Sequence, residues 1–218
     1  MYTSDPDRYG ELGESALRAI EIAMLAAGKS DPSDILDMPS GHGRVMRVLR
    51  AAFPQANLSA CDIDTDAIEF CARVFGATPI QGREDPATIE LEGQFDLIWC
   101  GSLLTHIDSD RWPGFLSLFE SVLRPDGVAV FTVHGRKVIR NIRGGATYGL
   151  DEESRTGLLA DFEANGFAYR NYFGHDDYGI SLSSPGWVFS QVGHHVPLYA
   201  ESLWGSQDVV AFRHGSSG

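Results

Sequence analysis

With 218 residues, 43% of them hydrophobic and 22% charged, the chain has the composition of a globular domain long enough to bury one sizeable core. Its formal net charge of −13 argues against nonspecific nucleic-acid binding, which needs a basic footprint. No apolar run approaches the roughly 18–20 residues of a membrane span. The opening "MYTSDPDRYG" lacks the basic and apolar regions of a secretory leader. Cys61, Cys71 and Cys100 sit in apolar segments without metal-ligand spacing, so buried thiols in a reducing, cytoplasmic setting are expected.

Taken in chain order, residues 11–28 place Leu12, Leu17, Ile20, Met24 and Leu25 at helical spacing and stop on Gly28. "DILDM" reads as a short buried strand running into the turn "DMPSGHGR" (37–44), with a helix from about Gly43 to Phe53 before Pro54. "NLSACDID" is a second strand, and Asp64 or Thr65 caps a helix whose inner face carries Ile68, Cys71, Ala72 and Phe75. "ATPIQG" gives a third strand, and the near-continuous apolar run of "QFDLIWCG" suits a central parallel position. "RWPGFLSLFESVL" is a helix with Trp112, Phe115, Leu116, Phe119 and Leu123 inward; "RPDG" turns the chain into the buried strand "VAVFTVH". Strands alternating with helices imply an α/β fold, a parallel sheet covered on both faces.

From Val128 to Leu150 there is no acid, while Arg136, Lys137, Arg140 and Arg143 cluster there, and residues 135–150 are expected to form a lid loop. "GLDEESRTGLLADFEANGF" is a helix with a glycine stop, followed by the β-like runs "FAYRNYF" and "QDVVAF" around the segment "SPGWVFSQV". Those two runs are expected to pair antiparallel at the sheet edge. The chain is thus expected to form a single domain over 1–214: an N-terminal helix in 1–30, the loop, and closing strands with a second ligand region in 167–212. Residues 215–218, "GSSG", are set aside as a tail or cloning remnant.

In a doubly wound sheet, ligands bind outside the carboxyl ends of the strands. A glycine turn there presents amides and the positive end of a helix. Two features separate this turn from a dinucleotide fingerprint. The third glycine is replaced by Met46, and Asp37 ends the strand where a pyrophosphate would be repelled. A carboxylate there suits a cation, and Asp62, ending the second strand, suits both hydroxyls of a ribose. A cation joined to a ribose without phosphate points to S-adenosylmethionine.

In their order along residues 30–135, "ILDMPSGHGR", "ACDIDTDAIEFC", "FDLIWCGSLLTHI" and "LRPDGVAVFT" resemble the class I S-adenosylmethionine-dependent methyltransferases of small-molecule type. The resemblance implies a Rossmann-like doubly wound sheet of about seven strands, mostly parallel with an antiparallel last strand. It places Asp37, Ser40, Gly41 and Gly43 around the methionine part, Asp62 on the ribose and Ile63 beside the adenine. Arg83 stands where relatives have an acid near the adenine amino group, which leaves that contact to Glu84 or Asp85. Cys100, Gly101 and Ser102 should border the cofactor.

Methyl transfer is an in-line displacement at an activated carbon, and a hydroxyl acceptor benefits from a base. His134, ending "FTVH", and His106, in "LLTHI", are the candidates. Arg136, Arg140 and Arg143 are expected to contact a carboxylate or phosphate on the acceptor, and Tyr178 belongs to an aromatic-rich stretch able to face a sugar or aromatic ring. Absence of an N/D-P-P-Y/F stretch disfavours planar amides and base nitrogens. A small metabolite or a sugar of a glycan precursor remains. Turn chemistry accounts for "GHDDYG", so no metal is expected. The rival readings are a nicotinamide-dependent oxidoreductase and a non-catalytic cofactor-binding accessory protein.

Overall fold

The computed structural model describes residues 6–193 and 195–213. The first two-thirds alternate helix and strand: α1 (Pro6–Ala26), β1 (Asp34–Asp37), α2 (Met46–Ala52), β2 (Asn57–Asp62), α3 (Thr65–Phe75), β3 (Thr78–Gln81), β4 (Phe95–Cys100), α4 (Trp112–Val122) and β5 (Leu123–Val133). Helices α5 (Arg136–Arg143) and α6 (Glu152–Asn165), strands β6 (Phe167–Asn171) and β7 (Gly179–Ser183), helix α7 (Pro185–Val192) and strands β8 (Leu198–Trp204) and β9 (Gln207–Arg213) follow.

Seven strands form one sheet in the order β3-β2-β1-β4-β5-β9-β8. β9 runs antiparallel to both β5 and β8, and the other pairings are parallel. The order reverses between β1 and β4, which opens a crevice above their carboxyl ends. One apolar core lies between the sheet and α1–α3, a second on the opposite face under α4 and α7. The Asp64 side chain caps α3 by accepting from the amides of Asp66 and Ala67, as its position before the apolar stripe predicts. On α4 the expected stripe is buried through Val122, while Leu123 begins β5.

Four expectations change. On α1 the buried face is mostly small, with Ala16, Ala19, Ile20, Ala23, Met24 and Ala27 inward, and Leu25 is 78% exposed. The alanines bring the helix backbone close to the sheet and turn Leu25 outward. Residues 136–143 form a helix, not a loop. Val138, Ile139 and Ile142 pack under Leu150, Leu158, Ile180 and Leu182, which leaves the arginines on the outer face. "FAYRN" does not join the main sheet: it pairs antiparallel with "GISLS" in a separate two-stranded hairpin, Phe167 opposite Ser183 and Asn171 opposite Gly179. The partner of β9 at the sheet edge is instead "LYAESLW", whose central Glu201 and Ser202 hide its strand character.

Candidate active site

The tips of β1 and β2 lie side by side, with Asp37 opposite Ala60 in register. The turn between β1 and α2 folds back over them: the Met38 amide donates to the Trp99 carbonyl at 2.9 Å and the Ser40 amide to the Cys61 carbonyl at 3.0 Å. One oxygen of Asp62 accepts the Gly41 amide at 2.7 Å and the other the Asp64 amide at 3.0 Å. Backbone donors thereby fix that carboxylate at the mouth of the crevice. Gly41, at φ +48°, has open space where a side chain would point. Gly43 does something else. A Cβ there would run into the Phe75 ring, so this glycine lets the turn dock on α3.

Two adjoining cavities open above the strand tips. The first, of about 270 Å³, is lined by Asp37, Ser40, Gly41, Asp62, Gly101 and Ser102, and closed by Trp99, Trp204, Tyr9 and Arg44. Asp37 is 1% exposed, and its Oδ2 has no hydrogen-bond partner among the described residues. Burial, then the nearby Asp62 charge, push its pKa well above the usual carboxylate range, against the opposing hydrogen bond from the Met46 amide. A positive charge is what that oxygen lacks.

The second cavity, of about 330 Å³, shares Pro39, Asp62 and Ser102 with the first. Ile63, Gly82 and Glu84 wall one side, and Leu103, His106, Ile107, Phe115 and Tyr178 the other. Arg111 ties these sides together, donating to the Glu84 carbonyl at 2.9 Å and to the Asp177 carbonyl at 3.0 Å. Neither Gly43 nor Cys100 lines either of these two cavities. Cys100 points from β4 into the core under α4, and burial raises its thiol pKa. Burial also lifts Cys61 to about 12 and Cys71 to about 11, so these thiols stay protonated.

The two histidines lie with ring centroids 6.0 Å apart but in different settings. His134 is 5% exposed and lines neither cavity, and its Nδ1 is 3.3 Å from the Ser181 carbonyl. Burial, with His106 next in effect, pushes its pKa down to about 3. His106 lines the second cavity. Its Nδ1 is 2.7 Å from the Gly179 carbonyl, which can only accept, so Nδ1 carries the hydrogen and Nε2 keeps a lone pair. Burial lowers its pKa below the usual histidine value, partly offset by that carbonyl. Of the expected acceptor cations, Arg136 pairs with Glu201 and Arg143 with Glu163, each at 2.7 Å, Arg140 is exposed, and none lines either of the two cavities. Among the described residues no group of three His, Cys, Asp or Glu side chains could hold a metal ion.

Residues 35–127 match the family model of a methyltransferase domain. The fold is the Rossmann-like fold of the class I S-adenosylmethionine-dependent methyltransferases. A malonyl-[acyl-carrier protein] O-methyltransferase from Laribacter hongkongensis is 25% identical over 148 residues, covering 63% of this chain and 49% of that protein. The chain thus spans about half the length of the curated relative it matches. In fold it is similar to an S-adenosylmethionine-dependent methyltransferase from Clostridium acetobutylicum, with TM-score 0.64, 14% identity, and 93% and 92% of the two chains covered. It is also similar to the 1,6-didemethyltoxoflavin-N1-methyltransferase of Burkholderia thailandensis, solved with that compound and S-adenosylhomocysteine, with TM-score 0.61, 13% identity, and 99% and 93% covered.

The residues of the first cavity fit S-adenosylmethionine. The unpaired Asp37 oxygen suits the ammonium, and the Asp62 carboxylate, held by two amides, suits the ribose hydroxyls. Sequence reasoning missed Trp99, Trp204, Arg44 and Tyr9, which close the first cavity. It also missed what holds Ser102, a non-glycine residue at φ +61°. The Ser102 amide donates to Thr132 Oγ1 at 2.8 Å, Thr132 Oγ1 donates to Gln207 Oε1 at 2.5 Å, and Gln207 Nε2 donates to Ser102 Oγ at 2.8 Å. No local pattern announces partners 30 and 105 residues apart. No helix among the described residues is long and apolar enough to cross a membrane.

Proposed function

We propose that this chain is an S-adenosylmethionine-dependent methyltransferase that methylates a hydroxyl oxygen of a small molecule or sugar, bound on the His106 and Tyr178 side of the second cavity while the Ile63 and Glu84 side receives the adenine, with His106 as the base. The bound cofactor supplies a methyl carbon activated by the adjacent sulfonium. Asp37 and Asp62 anchor its two ends, and the turn amides fix the distance between those anchors. The apolar walls Leu103, Ile107 and Phe115 hold the acceptor's body and keep water from the line of attack. His106 would take the acceptor hydroxyl's proton at Nε2 as the methyl group passes from sulfur, which keeps the electron pair of the broken bond, to the oxygen.

The observation that carries this reading is the tautomer. The Gly179 carbonyl occupies Nδ1, so the free lone pair of His106 is Nε2, on a side chain that walls the second cavity. The same comparison disfavours His134, which is sealed away and too weak a base at a pKa of about 3. Oxygen as the methylated atom is supported by the Laribacter protein, which is named an O-methyltransferase. The ion-paired arginines on α5 give no support to an anionic acceptor.

The test is to incubate the chain with S-adenosylmethionine and a panel of phenols, catechols and sugars, and to follow S-adenosylhomocysteine by mass spectrometry. With a turned-over acceptor, kcat/KM should rise with pH through one ionisation below the usual histidine value, since the base acts in its neutral form. His106→Gln should lower kcat about 100-fold or more and abolish that ionisation. A His106→Gln enzyme with an unchanged pH profile would remove His106 from this role.

A further inference from the structure

We infer that Arg111 couples the two sides of the second cavity, so that a nucleoside bound on the Ile63 and Glu84 side steadies the segment that carries Tyr178 over His106. The first ligand thereby prepares the place of the second. This rests on the adenine placement proposed above and is independent of the base and of the methylated atom.

Each side of that cavity ends in a short exposed segment. Residues 82–85 follow β3 and lie against the tip of β2: the Gly82 amide donates to the Asp62 carbonyl at 2.8 Å, and a Cβ on Gly82 would stand 2.7 Å from the Asp62 carbonyl carbon. Residues 172–178 join β6 to β7, with Phe173 99% exposed and Asp177, not a glycine, at φ +61°. The Tyr172 amide donates to the Tyr178 carbonyl at 3.0 Å and the His175 amide to the Tyr172 carbonyl at 3.1 Å. The Tyr178 ring lies 5.1 Å from the His106 ring and 5.4 Å from that of Tyr172, centroid to centroid. A segment so exposed and so sparsely hydrogen-bonded opens at low cost unless something else holds it.

Arg111 is what holds it. The guanidinium donates to the Glu84 carbonyl, 27 residues back, and to the Asp177 carbonyl, 66 residues on. It enters no ion pair among the described residues, so its planar fork is committed to these two backbone oxygens and keeps them in a fixed relation. Its own mount is rigid. Asp108 caps the 3-10 turn Ser109–Arg111 by accepting from the Ser109 amide. The next residue, Trp112, is 0% exposed, with its ring 4.8 Å from that of Trp187 and 5.9 Å from that of Phe131. The other segment seats on the same helix start, since a Cβ on Gly114 would stand 2.8 Å from Pro86 Cγ. A ligand that fixes Glu84 therefore fixes Arg111, then the Asp177 carbonyl, and with it Tyr178. Coupling of this kind is reciprocal, so a ligand against Tyr178 also tightens the hold on the nucleoside. Arg111 is a positioning residue that acts through Tyr178.

Hydrogen–deuterium exchange, followed by mass spectrometry with and without saturating S-adenosylhomocysteine, tests the coupling. In the wild type the probe should slow exchange over residues 172–179 about 3- to 10-fold, the scale of one hydrogen bond gained in an exposed setting. Arg111→Met keeps the stem and removes the fork. It should abolish this protection while the turn 37–44 stays protected by the bound probe. Arg111→Lys, a point charge that cannot span both carbonyls, should retain only part of it. A purely structural role for Arg111 would speed exchange of 172–179 equally with and without probe and leave the ratio of the two rates as in wild type. That ratio unchanged in Arg111→Met, or no protection of 172–179 in the wild type, would overturn the coupling and leave the cofactor reading standing. Wild-type protein that does not bind the probe would overturn the cofactor reading, and this inference with it. Melting curves identify a variant that does not fold; should the methionine variant be one, full wild-type protection in Arg111→Lys would overturn the coupling.

Discussion

Asp37→Asn should make the protein more stable and bind its cofactor less well. The side chain is 1% exposed, one of its oxygens is unpaired among the described residues, and the Asp62 carboxylate bears on it. Asparagine has nearly the same shape and keeps an oxygen for the Met46 amide, but it carries no charge. Relief of a buried, poorly paired carboxylate should contribute about 1 kcal/mol, which for a chain of this size is a Tm rise of about 2–4 °C. Loss of the charge opposite the ammonium should cost about 1.5–3 kcal/mol of binding, an S-adenosylhomocysteine Kd about 10- to 150-fold higher. The pH dependence gives a second handle with a defined sign. The folded-state pKa is raised, so between the ordinary carboxylate value of about 3.9 and the folded value the native state holds the proton more tightly than the unfolded chain. The stability this contributes is complete below that window and is lost as pH rises through the folded pKa. Over the same interval wild-type cofactor binding should tighten with rising pH, because the ammonium selects the ionised carboxylate. Melts and calorimetry on both proteins across the acid range would show these slopes in wild type and their absence in the variant. An Asp37→Asn protein with a lower Tm, or a Kd within twofold of wild type, would refute the reasoning.

Two further outcomes follow from the packing around the site. Gly43→Ala should lower Tm by several degrees, because its Cβ meets the Phe75 ring and the backbone stands at φ +73°, a combined cost of about 1–3 kcal/mol; S-adenosylhomocysteine binding should change little, and a binding defect without a stability loss would put Gly43 back beside the cofactor. Thr132→Val leaves the Ser102 amide and Gln207 Oε1 without their hydroxyl partner, so both Tm and S-adenosylhomocysteine affinity should fall and Thr132→Ser should restore both; valine and serine variants that behave alike would show that the hydroxyl holds nothing.

The lining of the first cavity was readable because its residues sit at places that local rules identify. A carboxylate at the end of a buried strand, a glycine that follows it, and a second carboxylate at the next strand's tip need no long-range information, and Asp37, Gly41 and Asp62 stand where the pattern puts them. Gly43 shows the limit of that reading: glycine in a turn reports that something comes close, and here the Phe75 ring stands where a side chain would point. The acceptor side was less legible. The basic residues of 136–143 masked an apolar i, i+1, i+4 pattern, so a packed helix read as a loop. β7 escaped notice because glycine and serine alternate with its two apolar residues, although every residue of "GISLS" is buried. Sequence offered no ground for ranking His106 over His134, because the ranking depends on which ring nitrogen a distant carbonyl occupies.

That carbonyl belongs to a residue whose identity is itself dictated by packing. Gly179 opens β7, and a Cβ there would run into the Arg170 carbonyl of β6, so the hairpin closes at this point only with glycine. The same residue grips His106 twice: its amide donates to the His106 carbonyl at 3.1 Å and its carbonyl accepts from Nδ1 at 2.7 Å. Further along β7, the Ser181 amide donates to the Thr105 carbonyl at 2.9 Å and the Ser183 amide to the His134 carbonyl at 3.0 Å. The hairpin is thus stitched to the segment after β4 and to the end of β5, and it sets the tautomer of His106, which lines the second cavity. Cofactor and acceptor functions are divided along this seam. Strand tips and their turns form the proposed cofactor side, while an insertion between β5 and β8 orients the proposed base, so the acceptor side can be rebuilt without disturbing Asp37 or Asp62.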